Sequence, residues 1–240
     1  MIGRPVREPL TGVPGAGIVT RTSPRGLDFC FRSCRFVTTI IVAHASSGAC
    51  SDRRKAAPMT AARVEAVRPP YPPELQAVFD RIMPPGVPPL LLFTTLARVP
   101  RIYERFRAGG LLDRGPVSMR HREIVIDRTC ARCGCAYEWG VHIAFFAERV
   151  ALTPAQVRAT VHGGPDDSAW ADEERLLIRL VDELHDSAGI SDELWAALAA
   201  VFSVDQILEL IALVGFYHLV SFFANSLRLP LESYGAPLPP

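Results

Sequence analysis

Cys135-Ala136-Tyr137-Glu138-Trp139-Gly140-Val141-His142, with Glu123 twelve residues ahead of Cys135, is the stretch on which the fold turns. Cys135, Glu138 and His142 stand at i, i+3 and i+7, which on an α-helix puts them on nearly one stripe. Trp139 and Phe146 share that stripe, so a thiol, a carboxyl and an imidazole are expected on the apolar side. Groups of this kind are costly to bury unless paired, and burial moves their pKa values. Three titratable groups on the core side of one helix point to chemistry rather than to packing.

The flanking sequence is helical almost throughout. Pro72-Pro73-Glu74 opens a helix to about Met83, which Pro84-Pro85-Gly86 ends; a second spans Leu90 to Ala97, and Pro100 starts a third toward Phe106. Ser118 is the N-cap of a helix that carries Glu123 to about Thr129, and the Cys135 helix runs to about Val150. Thr153-Pro154 introduces a short helix, Ala155 to Val161, and Ser168 to Ser187 is strongly amphipathic. Ser191-Asp192-Glu193 caps the next helix. The last, Val204 to about Leu227, is apolar nearly all round and is expected at the centre of the fold or at a subunit interface. No strand-like alternation, internal repeat or heptad array interrupts this pattern. The fold class is all-α.

Composition divides the chain in two. Of 240 residues 49% are hydrophobic, enough for a core, and the formal net charge is +1. Residues 1–58 hold nine Lys and Arg against three acids, a net of +6, and include the only lysine, Lys55. Residues 59–240 hold 17 against 22, a net of −5. The first segment has no period, and its one apolar run, Phe36 to Ala45, is too short to span a bilayer. It is expected to be a disordered extension or an over-long start, with a targeting role the less favoured reading. Residues 59–240 are expected to form the folded domain, placed in the cytoplasm and off the membrane. Its net acidity and lack of basic–aromatic interleaving argue against nucleic acid as a partner.

Arg122-Glu123, the run Cys133-Gly134-Cys135-Ala136-Tyr137-Glu138-Trp139-Gly140-Val141-His142, and Leu152-Thr153-Pro154-Ala155-Gln156-Val157 together resemble the carboxymuconolactone decarboxylase and alkylhydroperoxidase-D superfamily. Leu96-Ala97-Arg98-Val99-Pro100 and the Leu210 to Leu229 helix resemble its larger members, so the likeness covers roughly Tyr71 to Tyr234. It implies an AhpD-like bundle of about seven to eight helices, a helical hairpin around the site, and assembly into homotrimers or hexamers. The superfamily contains thiol peroxidases, acid–base decarboxylases and members with no assigned substrate. Its peroxidase pattern is Glu, eleven residues, Cys, two residues, Cys, three residues, His. Glu123, Cys135 and His142 fill three of those positions, but the peroxide-attacking cysteine falls on Glu138. In the rival register, Cys130-Ala131-Arg132-Cys133, the acid becomes Ser118 and the histidine Tyr137, so the whole relay fails together.

In the first register a glutamate facing an imidazole across a dry site can share a proton near neutral pH. That suits cofactor-independent acid–base work on a small organic acid, lactone or carbonyl compound, worth ~3–5 kcal/mol per positioned group. Catalytic candidates are therefore Glu123, Cys135, Glu138 and His142, with Cys135 expected to be a weak nucleophile between two carboxylates. Cys130 and Cys133 are either a redox pair or inert thiols, and Tyr137, Trp139, Phe146 and His218 are candidates for the pocket wall. The alternative activity is a thiol-dependent, peroxiredoxin-like peroxidase using Cys135 or Cys130 and Cys133. A non-catalytic helical oligomer is a third reading.

Structural readings compete at each position. Glu138 becomes a solvated helix residue if the apolar face is rotated, and His142 or His218 could be a satisfied core histidine. A zinc site from Cys130, Cys133, Cys135 and His142 is disfavoured by the poor tetrahedral geometry of that spacing, so no metal or cofactor is expected. His121, His162 and His185 lie in polar surroundings without an evident chemical role. Arg98, Arg101, Arg105 and Arg107 are spaced as a solvated helix face, from which one could reach an anionic substrate.

Overall fold

Helix-breaking residues set the frame. A computed structural model describes residues 61–240, and among them there are helices and loops but no strand. The boundary expected at residue 58 and the basic segment before it, with Cys30, Cys34 and Cys50, lie outside the described residues. The described helices are α1 (Pro73–Ile82), α2 (Leu91–Leu96), α3 (Pro100–Ala108), α4 (Met119–Arg132), α5 (Ala136–Phe146), α6 (Pro154–His162), α7 (Asp172–Ser187), α8 (Asp192–Val201) and α9 (Val204–Leu227). These are the nine helices read from the sequence, beside the about seven to eight that the family resemblance implies.

Proline stands in the first turn of α1, α3 and α6, where its missing N–H costs nothing. Ser118 accepts a hydrogen bond from the His121 N–H at 3.1 Å, and Thr153 and Ser203 form capping boxes with Gln156 and Gln206. Two starts differ from expectation. Cys135 is the N-cap of α5 rather than part of it, because its ψ of 81° is not helical. α7 starts four residues after Ser168, with Trp170 buried in the turn ahead of it.

The centre of the fold is α4; the apolar last helix, expected at the centre or at a subunit interface, packs one side against it and leaves the other exposed. Arg122 through Cys130 are all buried, and α4 packs against α5, α6, α7 and α9. Its charges survive burial because each basic residue meets a placed acceptor. Arg120 meets Glu174 at 2.7 Å, Arg128 grips both oxygens of Asp182 at 2.8 and 2.9 Å, and Arg132 reaches Asp186. The sequence separation is 54 in every pair, so α4 and α7 run parallel in fixed register. Arg128 also donates to the carbonyls of Thr160 and Gly163 at the end of α6, at 3.1 and 2.9 Å.

α9 buries a single stripe, Ile207, Leu210, Leu213, Val214, Tyr217, Val220, Ser221 and Ala224, and leaves Leu208, Leu219 and Phe222 exposed. Among the described helices it alone is long and apolar enough to cross a membrane, with a mean hydropathy of 2.0. Its buried stripe packs against α4, α5, α7 and α8. The segment after α9 returns over α5, where the Ala236 N–H donates to the Gly140 carbonyl at 2.9 Å. A Cβ at position 140 would come within 2.5 Å of the Ala236 oxygen, so glycine is required there.

Candidate active site

The connection from α4 to α5 is tight. Gly134 takes a left-handed φ of 60°, and the Cys135 N–H closes onto the Cys130 carbonyl at 2.8 Å. This hairpin sets the inner face of α4 against that of α5. Glu123 and Asp127 share that face of α4 at i and i+4. On α5 the cavity-facing stripe is Glu138, Val141, His142, Phe145 and Phe146, extended by Arg149, which is the i, i+3, i+4, i+7, i+8, i+11 pattern of one helix face.

His142 Nδ1 lies 2.7 Å from Glu123 Oε2, and both side chains are buried. The second oxygen of Glu123 accepts from Nε of Arg122 at 3.0 Å and pairs with Nη2 at the same distance, and Arg122 is itself held by the Leu112 carbonyl at 2.9 Å. His142 Nε2 faces the Tyr217 hydroxyl at 3.1 Å and Glu138 Oε1 at 3.4 Å. Burial alone would lower the imidazole pKa, but the carboxylates, Glu123 first and then Glu138, outweigh it and hold His142 at about 10. His142 is thus an imidazolium at neutral pH. Two cations, His142 and Arg122, face two carboxylates, Glu123 and Glu138.

The imidazolium donates from both ring nitrogens. Its Nε2–H points at the Tyr217 oxygen, which leaves the tyrosine O–H proton for another acceptor. Glu138 Oε2 is buried and has no hydrogen-bond partner. Asp127, also buried with an unpartnered oxygen, is pushed well above the usual carboxylate range by burial, against the pull of His142. Burial therefore favours its neutral form. The thiols are protonated as well. Burial raises Cys130 well above its ordinary value and lifts Cys135 to about 11, although the Glu138 backbone N–H pulls Cys135 down.

Glu138 lies at the junction of two cavities. One of about 650 Å³ is lined by Phe93, Tyr103, Phe106, Phe216 and Tyr217, with Arg81, Arg107 and Asp113 among its polar side chains. The other, of about 290 Å³, is bounded by the α5 stripe with Leu90, Phe93 and Leu112. Phe146 tilts over His142 at 5.3 Å between centroids, and Arg149 lies over the Phe146 ring at 5.7 Å.

The structure brings Glu123, Glu138 and His142 together. Cys135 is buried beside Cys130 at the base of the hairpin and borders neither cavity. Phe146 lines a cavity as expected, but Tyr137, Trp139 and His218 do not. Each departure has a helical cause. Trp139 is one residue, or about 100°, round from Glu138 and donates to Thr160 Oγ1 at 3.0 Å. Tyr137 turns the other way, accepting from the Leu92 N–H and donating to Glu232. His218 is displaced by Tyr217, which continues the buried stripe of α9. Cys130 and Cys133, expected as either a redox pair or inert thiols, are free thiols here.

Sequence reasoning missed Arg122 and Asp127 as members of the cluster and gave Tyr217 no part in the site. For Tyr217 a signal existed: its spacing from Leu210, Leu213 and Val214 places it, not His218, on the inward stripe. Arg107, read as part of a solvated run from which one arginine could reach an anionic substrate, lines the larger cavity. His121 pairs with Glu173 at 3.3 Å, and His162 lies 3.1 Å from the Pro239 carbonyl, away from the cluster.

No family model and no curated protein matches the chain. Solved structures do. An uncharacterised peroxidase-related protein from Ralstonia eutropha JMP134, described as an alkylhydroperoxidase AhpD core, superposes with a TM-score of 0.64 at 16% identity, over 76% of this chain and 100% of that one. A second uncharacterised peroxidase-related protein, from Silicibacter sp. TM1040, gives 0.60 at 17% identity over 76% and 93%. The debrominase Bmp8, as a cysteine-to-alanine variant in complex with 2,3,4-tribromopyrrole, gives 0.55 at 14% identity over 72% and 92%. At such identities the likeness is one of architecture, and this chain has the all-helical AhpD-like fold.

Proposed function

We propose that the protein is an acid–base enzyme that moves a proton next to a carbonyl group of a small organic acid or lactone, in a decarboxylation, isomerisation or ring-opening reaction. The observation that carries this is the buried, unpartnered Oε2 of Glu138 at the meeting point of two cavities. A carboxylate whose one oxygen faces His142 and whose other is left without a partner at a cavity wall is a base open to a substrate proton. His142, locked as an imidazolium by Glu123, supplies positive charge beside the enolate that forms. The free O–H of Tyr217 supplies a hydrogen bond to its oxygen. In a decarboxylation Glu138 takes the proton of the substrate's carboxyl group, the carbon–carbon bonding pair stays on the substrate as CO₂ leaves, and Glu138 returns that proton to the carbon. Arg81, Arg107 and Arg149 at the cavity walls fit an anionic substrate. The exposed apolar face of α9 supports a homo-oligomer.

Small β-keto acids and unsaturated lactones, followed by proton NMR in heavy water with the full chain, test this. Turnover or solvent-proton exchange should fall ~10²–10⁴-fold in Glu138→Gln, the usual worth of a positioned base. Exchange that survives that substitution sinks the proposal. A second reading, thiol-dependent peroxide reduction, is favoured by the description of two structural neighbours as peroxidase-related. The protonated state of Cys135 weighs against it. Hydroperoxide consumption with a dithiol reductant, lost in Cys135→Ser, would establish it instead.

A further inference from the structure

Behind the hairpin, away from both cavities, the chain assembles a second set of titratable groups. Cys133 is the C-cap of α4, His185 lies in the last turn of α7 and His218 lies midway along α9. Cys133 Sγ is 3.9 Å from His185 Nδ1, which is 3.0 Å from His218 Nε2. The three donor atoms all lie within 4.8 Å of one another, and the residues are half-buried.

The hydrogen bonds fix which atoms carry lone pairs. His218 Nδ1 lies 2.8 Å from the Val214 carbonyl, which can only accept, so Nδ1 bears the proton and Nε2 presents its lone pair to the cluster. An imidazole held by a backbone carbonyl through its far nitrogen is the usual outer support of a metal-binding histidine. The C-cap is held as well, by the Asn225 amide donating to the Cys133 carbonyl at 2.9 Å. The nearby cation, Arg132, is offset by Asp182 at 3.5 Å and by Asp186.

The spacing suits one ion. Tetrahedral Zn²⁺, with bonds of ~2.05 Å to nitrogen and ~2.3 Å to sulfur, sets its ligands ~3.3 Å apart for N to N and ~3.6 Å apart for N to S. Two of the three separations, 3.0 and 3.9 Å, depart from these by only a few tenths of an ångström, and the third, from Cys133 Sγ to His218 Nε2, lies within 4.8 Å and closes by side-chain rotation. Borderline-soft Zn²⁺ matches a mixed thiolate and imidazole set better than Mg²⁺ or Ca²⁺, which take oxygen.

We propose that Cys133, His185 and His218 bind one Zn²⁺ ion, with water as the fourth ligand, and that the ion ties the C-terminal end of α4 to α7 and α9. On binding, the Cys133 thiol releases its proton to solvent. His185 moves its proton from Nδ1 to Nε2, which frees Nδ1 for the metal. One proton leaves per ion. The site is independent of the Glu138 centre, because it shares no side chain with it.

The test uses the full chain titrated with Zn²⁺ in competition with a chromophoric chelator, and with Co²⁺ as a spectroscopic substitute. One ion per chain, a thiolate-to-cobalt charge-transfer band and a Zn²⁺-dependent rise in melting temperature are expected. Cys133→Ser and His218→Gln should each weaken binding by more than the ~10–100-fold that loss of an outer-shell partner costs. Cys135→Ser should bind as the parent does. Far-UV circular dichroism of each variant without metal separates lost ligation from lost folding. Absence of binding by the parent chain, or undiminished binding in folded Cys133→Ser and His218→Gln, overturns the site.

Discussion

α4 and α9 invert the usual relation between polarity and position. α4 holds six Asp, Glu or Arg residues in fourteen and is buried nearly all round; α9 holds two in twenty-four and turns one side to solvent. The difference lies in the neighbours. Parallel to α4 runs α7, whose Glu174, Asp182 and Asp186 recur at the same offset as its arginines, so burial leaves those charges paired. Once paired, a charged helix can supply what an apolar one cannot: a carboxylate, Glu123, fixed against an imidazole in the interior. α9 contributes to the same centre through one polar atom, the Tyr217 hydroxyl.

If pairing is what lets α4 occupy the centre, breaking a pair there should cost more than any change on α9's outer face. Arg128→Ala leaves Asp182 only the longer contact to Arg132, at 3.5 Å, and removes the donors to the Thr160 and Gly163 carbonyls. Urea unfolding should show a loss of ~3–5 kcal/mol, the cost of removing one partner of a buried pair. A loss below ~1 kcal/mol would mean that α4 is held by its apolar residues alone.

Asp127 is the exception that sharpens the rule, a buried α4 acid with an unpartnered oxygen. Its folded pKa is raised, so the stability it confers is fully present below its unfolded value of ~3.9 and is lost as pH rises above that. Asp127→Asn should therefore match the parent in acid and become the more stable protein toward pH 7. The gain is ~1.4 kcal/mol for each unit of upward shift that the pH range samples. His142, raised to about 10, behaves differently in range: its contribution is fully present below ~6.5 and fades as pH climbs from there through about 10, in both proteins. Thermal unfolding across pH separates the two. If Asp127→Asn is instead the less stable protein at pH 7, Asp127 is ionised and paired in the fold.

Much of this arrangement was legible in the chain because helix punctuation is local. The prolines before α1, α3 and α6 and the caps Ser118, Thr153 and Ser203 stand where the helices start. The approach of Glu123, Glu138 and His142 was legible too, since i, i+4 spacing on α5 and a short hairpin to α4 leave little freedom. What escaped depends on pairing between distant helices. Nothing near Arg128 names Asp182, and nothing near Cys133 names His185 or His218. Hydropathy pointed to α9, not α4, for the centre or an interface because it records the cost of burying a charge without recording the partner that cancels it.

The smallest effect should come from the outer face of α9. Leu208 is 58% exposed and Leu213 fully buried, five residues apart on one helix. Leu213→Ala should cost ~2–5 kcal/mol through the cavity it leaves. Leu208→Gln, a swap of equal helix propensity at an exposed position, should change the stability of the isolated chain by no more than ~0.5 kcal/mol. Concentration dependence makes this test informative about assembly as well. If a second copy covers this face, the cost of Leu208→Gln grows with protein concentration, because mass action stabilises only the parent assembly. A cost that is both large and independent of concentration would place Leu208 inside the chain's own core and remove the contrast between the two helices.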